Sequence, residues 1–392
     1  MGLTMSNKIR PTVLLFVGYY LPGFLGGGPI RTIANLVATL GEEFNFKIIT
    51  SDRDLGDKSP YKNIRVNEWN LVEGTEVYYL SQDATFNEIK NLILNTEYDL
   101  IYLNSFFSKK FSVIPYLLYF MGKLEKTPMI IAPRGEFSDG AISIKSWRKK
   151  VFIFLIRFLL PVKNFFWHAS TVHEKKDILK FFKNPEKIHI ATDLPEPKAT
   201  FEAKKITENL TSLKICFLSR ICEMKNLFFV LDVLKLVKVP VELNIFGPKE
   251  SPEYWESCEE LIKKLPENIY VIYHGAVQNN KVKKIIADND LFFVPSKGEN
   301  YGHVFVEAFS AGVPVLVSDQ TPWKNLESIG VGWDFSLDSK DLFISTIEKL
   351  FFSSMESRLV QSNACQKFAH DITNDVDGLN RNRNLFKVSI SI

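Results

Sequence analysis

The sequence is poor in cysteine, and the four it has, Cys216, Cys222, Cys258 and Cys365, lack the short paired spacings of a zinc site. Nor do they have the density that staples a small secreted domain, so a reducing, cytosolic setting is the expectation. An excess of one charge is also missing. Lys and Arg number 48 against 45 Asp and Glu, and a net charge of +3 is too small for the basic stripe of a general nucleic-acid binder. No nucleic acid is expected as a partner, and any basic function has to be local. No apolar run is long enough to span a bilayer, which takes roughly 20 residues. The richest, from Val151, is broken by Arg157 and Pro161. The chain holds no tandem repeat and no low-complexity tract, and no D-x-D or histidine cluster stands where it would demand a metal.

What is present is the balance of a soluble globular protein: 46% hydrophobic and 24% charged residues in a chain of 392. At roughly 100 to 200 residues per domain that length predicts two domains. Short apolar strands alternate with helical patterns from the start: strand 12–17, a glycine-rich loop 18–28, a helix over 30–40, then strands 46–50, 100–104, 129–132 and 165–169. Lys8 and Arg10 before the first apolar run imitate a signal peptide. No small-residue cleavage site follows, and the run passes straight into the glycine turn, as a buried first strand does. The opening M-G-L-T-M-S matches a loose myristoylation pattern without a second anchoring signal. A first domain over 1–190 is followed by a Pro-, Thr- and charge-rich linker, 191–212. Strand and helix then alternate again through a second domain, 213–370. The last segment, 371–392, contains N-D-V-D-G-L-N-R-N-R-N, a poor helix sequence. The fold class is α/β: two facing, doubly wound, Rossmann-like domains, whose ligands would sit at the carboxyl ends of the strands in the cleft between them.

The densest chemical signal is S-K-G-E-N-Y-G-H-V-F-V-E-A-F-S-A-G-V-P-V, which runs from a strand end through a loop into a helix beginning near Gly302. The first-turn amides of that helix and the positive end of its dipole suit an anion such as phosphate. Glu299 and Glu307 would repel phosphate but suit the vicinal hydroxyls beside it, because a carboxylate accepts paired hydrogen bonds from a diol. Alone, they read equally well as an exposed loop acid and a dipole-favoured helix acid. A second segment, C-F-L-S-R-I-C-E-M-K-N-L, carries a buried strand into a loop with Arg220 and Lys225. A planar fork and a compact mobile cation on one loop can hold both phosphates of a diphosphate. In the first domain, Gly26, Gly27 and Gly28 between strand and helix allow backbone to approach a ligand closely. A plain turn would need only one glycine.

The S-R-x4-K-N loop followed by E-N-Y-G-H-V-F-V-E-A-F-S-A-G-V-P-V resembles the retaining glycosyltransferases of family 4, which have the two-Rossmann-domain GT-B fold, and Glu299 and Glu307 reproduce that family's E-x7-E spacing. The resemblance covers most of the C-terminal domain and, more weakly, the glycine loop. It implies that Arg220 and Lys225 hold the diphosphate of a nucleotide-sugar donor, UDP- or GDP-linked. Glu307 would then take the ribose diol and Glu299 the hydroxyls of the transferred sugar, with the amides of His303 and Val304 beside Gly302 on sugar or phosphate. The glycine loop, with Gly27 and Gly28, could close over the donor phosphates or shape the acceptor site. The resemblance further implies transfer with retention, no cofactor and no metal, with Arg220, Lys225 and Glu299 as the catalytic set. The acceptor would be a glycan or a polyprenyl-diphosphate-linked lipid in surface polysaccharide synthesis: O-antigen, capsule or exopolysaccharide.

Arg134, in I-I-A-P-R-G-E-F, departs from the family, many of whose members carry a histidine there, and resembles a subset of bacterial polysaccharide transferases. A cleft-facing Arg134 is one reading, without the histidine's role. Glu136 and Asp139 read as ordinary loop acids before acceptor-side groups. His168 and His173 lie on a structural strand and a helix start capped by Ser170 or Thr171, with Glu174 at capping-box spacing. Residues 145–167 combine a basic cluster with aromatic and aliphatic positions. They read either as a surface resting on the cytoplasmic face of an anionic inner membrane or as a buried helix with a solvated basic start. Two other functions share the fold expectation, a nucleotide-sugar epimerase or phosphorylase and a non-catalytic binding module. The presence of all four charged residues Arg220, Lys225, Glu299 and Glu307 argues against the module.

Overall fold

The structure is a computed structural model that describes residues 10–124, 127–138, 141–142, 146–159, 165–197, 204 and 206–390. The chain divides into two compact units, Met1–Leu194 with Val376–Ile392, and Pro195–Asp375. Asp193 and Leu194, placed by sequence in the linker, are buried residues of the first unit.

The first unit is built on a sheet in the order β3 (Trp69–Val72), β4 (Thr75–Leu80), β2 (Asn45–Ser51), β1 (Thr12–Phe16), β5 (Leu100–Leu103), β6 (Met129–Ile131), β7 (Phe165–Ala169) and β8 (Ile188–Ile190). The signal-peptide-like apolar run is thus the central strand, paired in parallel with β2 and β5. Its side chains alternate between two cores, as a strand's period of two requires. Val13 and Leu15 pack with α1 (Gly28–Leu40), while Leu14 and Phe16 face the core shared by α2 (Phe86–Asn95), α3 (Ile114–Phe120), α4 (Ser146–Leu159) and α5 (Val172–Phe181). The sheet is parallel except for the β3–β4 hairpin, turned by Glu73 and Gly74, both at positive φ, as a two-residue primed turn needs. The doubtful C-terminal stretch is a helix of this unit. Leu385 and Phe386 enter the α1 core, and Arg383 Nε reaches both oxygens of Glu43 at 2.6 and 2.8 Å. Tertiary burial overrides a weak asparagine-rich propensity.

Arg134 is the hub of a hydrogen-bonded network, its side chain only 10% exposed. At a left-handed backbone position (φ +54°), it donates from Nε to Asn104 at 2.8 Å, from Nη2 to the Tyr102 hydroxyl at 2.7 Å, and from Nη1 to Ser170 Oγ at 2.8 Å and to Asp193. Burial works against its charge, but Asp193, Tyr102 and Glu174 outweigh that and hold its pKa above the ordinary arginine value. Glu174 does not complete a capping box with Thr171. Thr171 Oγ1 caps α5 by accepting from the Glu174 amide, while the Glu174 carboxylate accepts from Gly135 N and Ser170 N, both at 2.7 Å. Glu136 is half-buried and fully engaged: it accepts from Ser105 Oγ and the amides of Phe106 and Phe107 and so fixes the loop after β5. Asp139 lies outside the described residues.

His168 extends the network. Its Nε2 donates to the Ala191 carbonyl at 2.7 Å, which leaves Nδ1 to accept from Tyr102, also at 2.7 Å. Burial, helped by Arg134, lowers its pKa from 6.5 to about 3, so the folded ring is neutral.

The second unit is a parallel sheet in the order β11 (Ile269–Gly275), β10 (Val241–Phe246), β9 (Leu213–Leu218), β12 (Leu291–Val294), β13 (Val315–Ser318) and β14 (Gly332–Phe335). The chain enters at β9, builds outward through β10 and β11, then returns to lay β12 on the other side of β9. This reversal is the topological switch point where such sheets bind ligands.

Because the unfolded state protonates His168 below about pH 6.5 while the folded state resists to about 3, acidification through that window should lower stability. The loss is up to about 1.4 kcal/mol per pH unit from this group. Glu136 and Glu174, raised by burial, act in the opposite direction. The test is therefore the difference between proteins: His168→Gln should show a flatter fall between about pH 6.5 and 4 in urea denaturation than the parent chain.

Candidate functional site

The loops after β9 and β12 meet because their strands are neighbours. In the first, Asn226 takes the left-handed conformation (φ +62°) that asparagine tolerates and starts α6 (Leu227–Leu234). Its Nδ2 donates to the Pro295 carbonyl at 3.2 Å, and Lys297 N donates back to the Met224 carbonyl at 2.8 Å. Between these two ties Lys225 Nζ forms an ion pair with Glu299, the side chains only 17% and 16% exposed. The motif asparagine therefore joins the two loops, a role that its place in S-R-x4-K-N does not by itself disclose.

Arg220 stands on the same loop but turns to the next strand. Its Nη1 is 2.8 Å from Glu250 Oε2 in a half-exposed pair. Backbone bonds hold Glu250 there: Ile221 N donates to the Pro248 carbonyl, and Glu250 N to the Ile221 carbonyl. Gly247, at φ +133°, permits this approach, since a Cβ there would stand 1.8 Å from the Ser219 carbonyl oxygen. Sequence reading identified Arg220 and passed over both Glu250 and Gly247. The only signal for them is a G-P-K-E segment directly after a buried strand.

On the other side, Gly302 at φ +80° is the N-cap of α9 (His303–Ser310) and contributes no side-chain cap bond. A Cβ there would meet the Phe305 ring at 2.5 Å and Glu299 Cγ at 3.0 Å, so glycine is needed for Glu299 to sit against the helix start. First-turn amides of a helix have no intrahelical acceptor, and the dipole is positive at that end. His303 is buried with its ring 4.8 Å from that of Tyr301, whose carbonyl accepts from Trp323 Nε1 at 2.6 Å. Val304 and Glu307 are half-buried on the same helix. The second unit thus assembles Lys225, Glu299 and the Gly302 helix start directly, with Arg220 on the same loop as Lys225.

Gly27 and Gly28 belong to the first unit. Gly27 is the N-cap of α1 at φ +67°, and Gly28 opens the helix. The loop before them is held by a residue that sequence reading did not single out. The buried Asp54 carboxylate accepts from the amides of Phe24 at 2.6 Å, Leu25 at 2.8 Å and Gly26 at 3.2 Å. Burial pushes the thiols of Cys258 and Cys365 up to about 11 and about 12, and raises those of Cys216 and Cys222, so none is a ready thiolate. Among the described residues no group of three or more His, Cys, Asp or Glu is placed to hold a metal ion.

Residues 198–359 match the family model "Glycosyl transferases group 1". An uncharacterized 41.2 kDa protein in the cps region of Klebsiella pneumoniae is 26% identical over 300 residues, 75% of this chain and 78% of its own. Sulfoquinovosyl transferase SQD2 of Arabidopsis thaliana is 33% identical over a shorter stretch, 22% of this chain and 16% of its own. Among solved structures, HepE of Anabaena in complex with UDP-glucose superposes with a TM-score of 0.72 at 14% identity, covering 98% of this chain and 100% of its own. WaaG, a glycosyltransferase involved in lipopolysaccharide biosynthesis, gives 0.65 at 14%, covering 97% and 99%. At such identities the likeness defines the fold, which is that of the two-domain GT-B glycosyltransferases.

Asp54→Ala removes the acceptor of three amides in the glycine loop. It should cost about 1 to 3 kcal/mol of stability by chemical denaturation and speed hydrogen exchange at Phe24, Leu25 and Gly26 above all.

Proposed function

We propose that the chain is a retaining glycosyltransferase that takes a sugar from a UDP- or GDP-linked donor and passes it, without a metal or cofactor, to a glycan or polyprenyl-diphosphate-linked acceptor in surface polysaccharide synthesis. It would work on the cytoplasmic side of the membrane. The observation that carries this reading is the placing of Lys225 and Glu299 as an ion pair at the β9–β12 switch point, beside a glycine-started helix. A donor diphosphate seated there replaces the carboxylate as the partner of Lys225. Glu299 is then released toward the sugar hydroxyls, which a carboxylate can accept in pairs. Arg220 keeps an Nη1 bond to Glu250 and has its remaining donors for the other phosphate. As the sugar leaves, negative charge grows on the diphosphate, and Arg220, Lys225 and the α9 dipole stabilise it. Glu307, one turn into α9, is assigned to the ribose.

The glycosyl transferase family match, the nucleotide-sugar complex of the HepE neighbour and the cps-region relative support this assignment.

Arg220→Ala and Lys225→Ala should each lower kcat/KM for donor turnover by about a hundredfold or more, the scale of losing one charge-stabilising donor. Glu307→Ala should chiefly weaken nucleoside diphosphate binding in calorimetry. If either basic substitution leaves kcat/KM within about twofold, the leaving-group site is elsewhere. Interconversion of the free donor sugar in the absence of any acceptor would instead identify an epimerase.

A further inference from the structure

The first unit carries an apolar surface that the donor site does not explain. Along α4, Trp147, Val151, Phe154 and Leu155 fall at the i, i+4, i+7, i+8 positions of one stripe and are 50 to 68% exposed. On α3 and just after it, Leu117, Phe120 and Met121 are 43 to 59% exposed. The opposite faces of the two helices, Tyr116, Leu118 and Tyr119 on one and Ile153 and Ile156 on the other, enter the same core on the same side of the sheet. Their outward faces therefore look in the same direction. Exposed Arg148, Lys150 and Arg157 flank the α4 stripe, and exposed Lys109 and Lys123 bracket α3. Residues 109–124 and 146–159 contain no Asp or Glu, in a chain whose charges are otherwise nearly balanced.

We propose that the outward faces of α3 and α4 form a docking surface for an anionic lipid bilayer, with α4 lying in the plane of the interface. Apolar side chains with a tryptophan, flanked by arginine and lysine on the same two helices, match the acyl boundary and phosphate headgroups at once. Lysine is depleted in protein interfaces, and two copies of this face would set cation against cation, so self-association is disfavoured. No helix among the described residues is long and apolar enough to cross a membrane, so this contact would be made by lying on the bilayer. Lys145, where this segment begins in the sequence reading, and Pro161, which breaks its apolar run, lie outside the described residues. The inference does not depend on the donor site.

The test is flotation of the full chain with phosphatidylethanolamine vesicles containing about 30% phosphatidylglycerol, against phosphatidylcholine vesicles. Binding to the anionic vesicles should be at least about tenfold stronger and should fall sharply between about 0.1 and 0.5 M salt. The double variants Arg148→Glu/Lys150→Glu and Trp147→Ser/Phe154→Ser should each weaken it about tenfold or more. Lys235→Glu, an exposed position of the second unit, should not. All substituted side chains are exposed, so melting temperatures should be unchanged and nucleoside diphosphate binding retained. The proposal is overturned if the parent chain stays with the soluble fraction at low salt, or if both double variants bind as the parent does. It is equally overturned if Trp147→Ser/Phe154→Ser dissolves a dimer and leaves vesicle binding intact.

Discussion

The second unit depends on the fact that β9 and β12 are neighbours although strands β10 and β11 separate them in the chain. That reversal brings a basic loop and an acidic loop to one edge of the sheet, and Asn226, Met224, Pro295 and Lys297 lock them together through backbone-directed bonds. Two opposite charges so constrained find each other before any substrate does. Lys225 is consequently held in place rather than sampling the many rotamers of a free lysine, and the side-chain entropy that immobilising it would cost on binding is largely lost already on folding.

The first unit spends its charges differently. Glu174 and Asp193 are buried and Arg134 and Glu136 half-buried, and each is surrounded by donors or acceptors that satisfy it. Removing one partner from such a cluster leaves an uncompensated charge, which is why these residues act as a set. Their bonds join the loops after β5, β6 and β7 to the segment that follows β8. The carboxyl ends of four strands are thereby organised from below by polar contacts.

The alternation of apolar runs and helical patterns made the doubly wound architecture legible, and the charged residues of the loops after β9 and β12 could be named from charge type and position. What escaped were residues whose importance lies in backbone geometry. Gly247 looks like any turn glycine until its distance from the Ser219 carbonyl is known. Asp54, in S-D-R-D-L-G, shows nothing of the three amides that it gathers from thirty residues earlier. The β3–β4 hairpin was missed because Glu-Gly is a weaker turn signal than Asn-Gly. The role of Arg134 stayed open because its partners lie on or after three other strands, which no local pattern reveals. For residues 146–159, the sequence left a buried helix and an exposed amphipathic surface open. The solvent-facing stripe on α4 favours the second only because α3 presents a matching face.

The closing helix, α12 (Val376–Ile390), is part of the first unit although it is made after the whole of the second. In topological terms the second unit is an insertion. During synthesis its sheet and helices can be complete while the earlier half still shows an uncovered flank where Leu385 and Phe386 will lodge. The usual order, in which the domain nearest the start of the chain folds first, is thereby reversed for the final step. A chain cut short before residue 376 would carry the complete second unit attached to a first unit lacking its closing helix.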